Sequence, residues 1–183
     1  MSKLVRIRRW IGVLGLSATI PGGCAWGPTW PDHPNLTAVP AVSPPRNERN
    51  DFDPKTACSD VVKAHNRVRA DAKLPALAIS PKLREAARLH AQDMASHGKM
   101  THKGSDGSSS IDRITAQGYS YRRAGENIAA GHFTIDGLMK GWMDSPPHKR
   151  NILGSFSQIG VAYATAENGK RYWCVTFGLP ARR

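Results

Sequence analysis

An α+β fold follows from three features of this 183-residue chain. Apolar residues recur at helical spacing through its middle, β-branched and aromatic residues dominate its last third, and a tight-turn dipeptide, Asn168-Gly169, splits that last third in two. In order, residues 56–72 carry Val61, Ala64, His65, Val68 and Ala72 on one helical face. Ser80 is a helix N-cap with Pro81 at the first helical position, and Leu83, Ala86, Ala87, Ala91 and Met94 extend a buried stripe beyond it. Residues 110–117 form a short helix closed by Gly118. Residues 127–130 suit a short strand. Residues 134–144 place Ile135, Leu138, Met139 and Trp142 at i, i+3, i+4 and i+7, and Pro146-Pro147 stops that helix. Residues 158–165 and 171–178 then pair as an antiparallel hairpin.

Hydrophobic residues make up 40% and charged residues 22% of the chain, which suits one globular core with appendages and excludes a multidomain enzyme. Residues 1–23 have the form of an export signal. Lys3, Arg6, Arg8 and Arg9 precede an apolar run from Trp10 to Ile20 that is too short for a resident span. Pro21-Gly22-Gly23-Cys24 then resembles the end of a bacterial lipoprotein signal, with Cys24 as the lipidated residue. Pro21 stands where such signals carry an aliphatic residue, so cleavage by an ordinary signal peptidase is the alternative. Residues 24–54 hold seven of the 13 prolines and no apolar periodicity, the composition of an extended tether.

The domain proper, residues 55–183, has 20 Lys and Arg against 10 Asp and Glu, so most of the chain's net charge of +12 belongs to it. Anionic envelope components are the partners such charge favours in an exported protein, and a solvated basic surface with no dedicated site is the alternative. The basic residues are scattered without long runs, which speaks against nucleic acid. Export also places the chain in an oxidising compartment, where Cys58 and Cys174 are candidates for one disulfide; two buried free thiols are the alternative.

Of the seven histidines, His33 lies in the tether, and His65 and His90 lie within helices as packing residues. His97, His102, His132 and His148 sit at loops or helix ends, where functional side chains concentrate. Glu126, between Gly125 and Asn127, is placed to orient an imidazole or to accept a backbone N–H. No serine has the surroundings of a hydrolase nucleophile.

These residues fall into an ordered set: His65-Asn66-Arg67-x-Arg69, Ser80-Pro81-x-Leu83, Met94 with His102 following, Gly118-Tyr119, Gly125-Glu126-Asn127-Ile128-Ala129-x-Gly131, Trp142-Met143-x-Ser145-x-x-His148-x-x-Asn151-Ile152-Leu153, Ile159-Gly160-Val161-x-Tyr163, and Tyr172-Trp173 with Phe177-Gly178. The set resembles the CAP superfamily, also called SCP or pathogenesis-related-1-like proteins, and most closely its bacterial secreted branch. It runs in matching order from about Asp60 to Gly178. The resemblance implies a three-layer α-β-α sandwich with a central antiparallel sheet and a cleft lined by His102, Glu126 and His148. A further glutamate of many eukaryotic members corresponds here to Ser145. Asp144 is the nearest acid, but one residue along a helix turns a side chain by about 100°.

Two chemistries follow for that cleft. His102 and His148 are the expected ligands of a divalent metal such as zinc, and with Glu126 they would suffice for a metal-assisted hydrolase. Alternatively Glu126 only supports an imidazole, and the domain is a binding module for a lipid, a sterol or an anionic envelope component, at the membrane surface or outside the cell. A passive domain with a vestigial cleft is the third reading.

Overall fold

The computed structural model describes residues 52–182. The segments expected to be an export signal and, but for its last residues, a tether, with Cys24 and His33, lie outside them. Helix α1 (Ala57–Asp71) buries Val61, Ala64, His65 and Arg69. Strand β1 (Ala78–Ile79) has two residues, and α2 (Pro81–Ser96) starts behind Ser80, whose side chain accepts the Leu83 N–H. Helix α3 (Ser110–Ala116) opens with a reciprocal capping box between Ser109 and Asp112. Strand β2 (Tyr121–Ala130) follows, then α4 (Ile135–Asp144), α5 (Pro146–Ile152), β3 (Gln158–Thr165) and β4 (Arg171–Pro180).

Two expectations on extent are corrected. Strand β2 begins six residues before the predicted 127–130 segment, because its first half is charged edge strand. Pro146-Pro147 ends α4 but also starts α5, since a missing N–H costs nothing in a first helical turn.

The sheet order is β1-β3-β4-β2, antiparallel throughout except for the short parallel pairing of β1 with β3. One face packs α1, α4 and α5 around Trp173, Val175, Phe177, Ile159 and Val161. The opposite face packs α2 against Tyr172, Cys174, Ala162 and Ile128. The sheet is thus the middle of three layers, as the resemblance implied. Alanines bring α2 very near the sheet. A Cβ at Gly160 would collide with the backbone of Leu83 and Arg84, and Thr176 Oγ1 donates to the Leu83 carbonyl at 2.9 Å. At the sheet's edge, the carbonyls of Glu126 and Ile128 accept from Asn151 Nδ2 at 3.0 Å and Trp142 Nε1 at 3.1 Å, tying α5 and α4 to β2.

The layering overturns the expected Cys58–Cys174 disulfide; both are free thiols. Neighbouring residues of a strand point to opposite faces. Cys174 therefore points to the α2 side, while Cys58 on α1 packs against the other cluster, with the sheet between them.

His65 carries a measurable consequence of burial. It is fully buried between Trp142 and Phe177, ring centroids 5.6 and 5.7 Å away, and its Nδ1–H donates to the Val61 carbonyl at 2.8 Å. Burial lowers its pKa from the ordinary 6.5 to about 4; the Val61 bond opposes this and the nearby Arg69 charge adds to it. Between those two values the unfolded chain binds a proton that the folded chain refuses, so stability falls as pH falls. The loss reaches about 3 kcal/mol by pH 4. Denaturant titrations at several pH values should show this decline and show most of it missing in His65→Leu; equal declines in both proteins would contradict the assignment.

Candidate functional site

The loop that leaves α2 carries His102, and both flanking helices hold it. His90 of α2 donates Nε2–H to the Thr101 carbonyl at 2.8 Å, and Asp93 accepts the Ser105 N–H at 2.9 Å. From α3, Arg113 donates Nη1–H to the Ser108 carbonyl at 3.0 Å and Nη2–H to the His102 carbonyl at 3.0 Å. His102 is thereby fixed at its backbone while 58% of its side chain stays exposed.

Glu126 rises from β2 toward the α2 side and is buried. Its Oε1 accepts the His102 Nδ1–H at 2.8 Å, its Oε2 accepts the Arg113 Nη2–H at 2.8 Å, and the Cys174 thiol approaches the same Oε2 at 3.5 Å. Burial would push this carboxyl up. The His102 hydrogen bond and the Arg113 guanidinium outweigh that and hold it below the usual carboxylate range. Cys174 is driven well above an ordinary thiol by burial, then by the neighbouring carboxylate, so it is no nucleophile. His90 is held below the ordinary histidine value, burial outweighing the pull of Glu126, with Nε2 at 3.9 Å from Oε1.

Asn127, the next residue of β2, points to the opposite face. Its Nδ2 donates to the His148 carbonyl at 3.1 Å and its Oδ1 accepts from Asn151 Nδ2 at 2.8 Å. Strand alternation thus sends Glu126 to His102 and Asn127 to the helix that carries His148. The His148 ring is partly buried, its Nδ1 has no partner, and burial, then His102, lowers its pKa. Ser145 is the extended junction between α4 and α5, and Asp144 pairs with Lys140 at 2.5 Å on the surface. Asp144 does not replace the family's further glutamate.

One short stretch of β2 thus meets both histidines, Glu126 through the His102 ring and Asn127 through the His148 carbonyl. Both oxygens of Glu126 are spent on His102, Arg113 and Cys174, so it supports His102 and is not a free ligand. Among the described residues no group of three or more His, Cys, Asp or Glu side chains forms a metal cage. The residues present do not fit a closed three-ligand metal centre; what they offer is two imidazoles. His97 instead bonds the Asp93 carbonyl at 2.9 Å on the exposed end of α2. Arg113 and Cys174 were not anticipated as parts of this site. The capping box places α3 in the sequence, but the pairing of Arg113 with Glu126 depends on tertiary folding.

A mixed three-layer fold with this Gly-Glu-Asn strand and its flanking histidines defines a family: the chain belongs to CAP, the Cysteine-rich secretory protein family, whose model matches residues 62–177. Among particular relatives, the uncharacterized protein YkwD of Bacillus subtilis is 38% identical over 104 residues, 56% of this chain and 40% of that one. The uncharacterized membrane protein YlbC of the same organism is 26% identical over 107 residues, 58% of this chain and 31% of that one. The chain thus spans well under half the length of these two relatives. The fold is shared with an outer surface protein from Borrelia burgdorferi, with a TM-score of 0.66 and 21% identity over 71% of this chain and 97% of that one. It is also shared with an extracellular SCP-domain protein from Bacillus anthracis, with a TM-score of 0.61 and 24% identity over 70% of this chain and 44% of that one.

Proposed function

We propose that the chain is an exported binding module of the cell envelope or extracellular space, taking a lipid, sterol or anionic envelope component at or beside the His102–Glu126–His148 cleft. The observation that carries this reading is the internal satisfaction of Glu126. A carboxylate already held by Arg113 and His102 is a poor general base, and no activated nucleophile stands near it. Recognition needs neither, and the positive charge of the domain favours an anionic ligand. Anchorage belongs to the same reading: Cys24 is lipid-modified, and an unmodified Cys24 in the intact mass of the membrane fraction would remove that part.

The test is capture of extracted envelope lipids by the purified chain. Retention above a charge-matched control protein is expected; retention equal to the control overturns the reading. A zinc titration by calorimetry addresses the hydrolase alternative. Heat that disappears in both His102→Ala and His148→Ala would favour a metal site there.

A further inference from the structure

At the end of α5 two cations share one concavity with apolar side chains. Among the described residues Lys63, Arg67, Arg88, Arg113 and Lys140 each face a carboxylate. Most of the other cations face none within ion-pair distance, Lys149 and Arg150 among them. Lys149 and Arg150 stand in the last turn of α5 and line a concavity of about 600 Å³ with Met143, Asp144, Pro146 and Leu153. Asp144 is occupied by Lys140. Met143 and Leu153 are partly buried at the margin of the larger core cluster and leave an apolar floor open to the concavity.

A cation in the last turn of a helix complements the helix dipole. That accounts for Lys149 and Arg150 as cations, but not for the uncovered apolar floor beside them. Unpaired cations at the rim and aliphatic side chains beneath them suit an amphiphile: phosphate against Lys149 and Arg150, the first apolar carbons against Met143 and Leu153. A wholly polar polyanion would match the rim and leave the floor unused.

We propose that this concavity docks the phosphate headgroup of an anionic phospholipid, so that α5, with His148 one residue before Lys149, lies against a bilayer surface. The proposal rests on the binding-module reading and names one ligand class and its place.

The test is sedimentation of the full chain with vesicles of one part phosphatidylglycerol to two parts phosphatidylcholine. Pure phosphatidylcholine vesicles measure what the N-terminal apolar run contributes. Each cation at a charged surface is worth roughly fivefold in binding, so Lys149→Gln/Arg150→Gln should weaken association with the anionic vesicles by roughly 25-fold. The control Lys73→Gln/Lys99→Gln removes the same charge from exposed positions elsewhere and should change it by no more than about twofold, as expected for charges held away from the bilayer. Equal weakening in both double variants would reduce the effect to net charge and overturn the site. So would binding of soluble poly(glycerol phosphate) or inorganic phosphate that depends on Lys149 and Arg150 while vesicles are ignored. If vesicle binding survives both double variants but envelope-lipid capture persists and needs His102 and His148, the headgroup site falls and the binding module stands. Capture of neither vesicles nor envelope lipid removes both.

Discussion

Arg69→Met is expected to cost the domain about 4 kcal/mol of folding free energy. Arg69 is 1% exposed, and its guanidinium faces carbonyls rather than a carboxylate. Nε donates to the Pro75 carbonyl at 2.9 Å, Nη1 to those of Ile152 and Gly154 at 2.8 and 2.9 Å, and Nη2 to that of Phe156 at 3.2 Å. One side chain thus fastens α1 to its own following loop and to the end of α5, more than 80 residues away. The negative end of α5 helps to compensate the buried cation. Methionine fills most of the space but has no donor, so it strands carbonyls that folding has removed from water. Lysine reaches fewer of them, and Arg69→Lys should cost about half as much. Urea denaturation at neutral pH followed by circular dichroism reads both. A loss below about 1 kcal/mol for Arg69→Met would mean that water replaces the guanidinium at little cost.

Glu126→Gln is the second large effect, a loss of about 3 kcal/mol at pH 7. The side chain is 2% exposed, and Arg113 opposite it only 10%. A glutamine keeps the shape but has a single oxygen to accept with. Its amide must face either Arg113 or the His102 Nδ1–H, and both are donors. Acid adds a second reading of the same bond. A carboxyl held below the usual range contributes fully at neutral pH, and its contribution fades as pH falls through the folded-state value. Glu126→Gln should lose that part of the acid limb while keeping the part due to His65. Imidazole NMR supplies a local measure: in the parent chain His102 carries its proton on Nδ1, and the variant should shift it toward Nε2. An unchanged tautomer with unchanged stability would show that the Glu126 hydrogen bonds contribute little.

Much of this architecture is legible in the chain because local chemistry decides it. Ser80-Pro81 and the Asn168-Gly169 turn need no distant partner, and neither does the i, i+3, i+4, i+7 spacing through Trp142. Each appears in the structure within a residue or two of its expected place. Pro146-Pro147 was the ambiguous signal, since proline ends one helix and opens another by the same loss of an N–H. The ordered motifs point to His102, Glu126 and His148, and β2 brings their supports into register. Arg113 and Arg69 were not recognisable as structural keys, because Glu126 lies 13 residues from the one and the Phe156 carbonyl 87 residues from the other. The cysteines show the cost of counting without phase: Trp173, Val175 and Phe177 form one apolar series, and Cys174 falls between its members, on the other face.

The donors that tie α4 and α5 to β2 also bear on how molecules of this chain meet one another. A bare outer strand templates the addition of a strand from another chain. Here the long edge of the sheet has its Glu126 and Ile128 carbonyls taken by Asn151 and Trp142, whereas at the opposite edge β1 pairs only with Gln158 and Ile159 and leaves residues 160–165 of β3 outside its register. Strand addition is therefore obstructed along the inner half of β2, and the outer run of β3 is the stretch of sheet edge left for it.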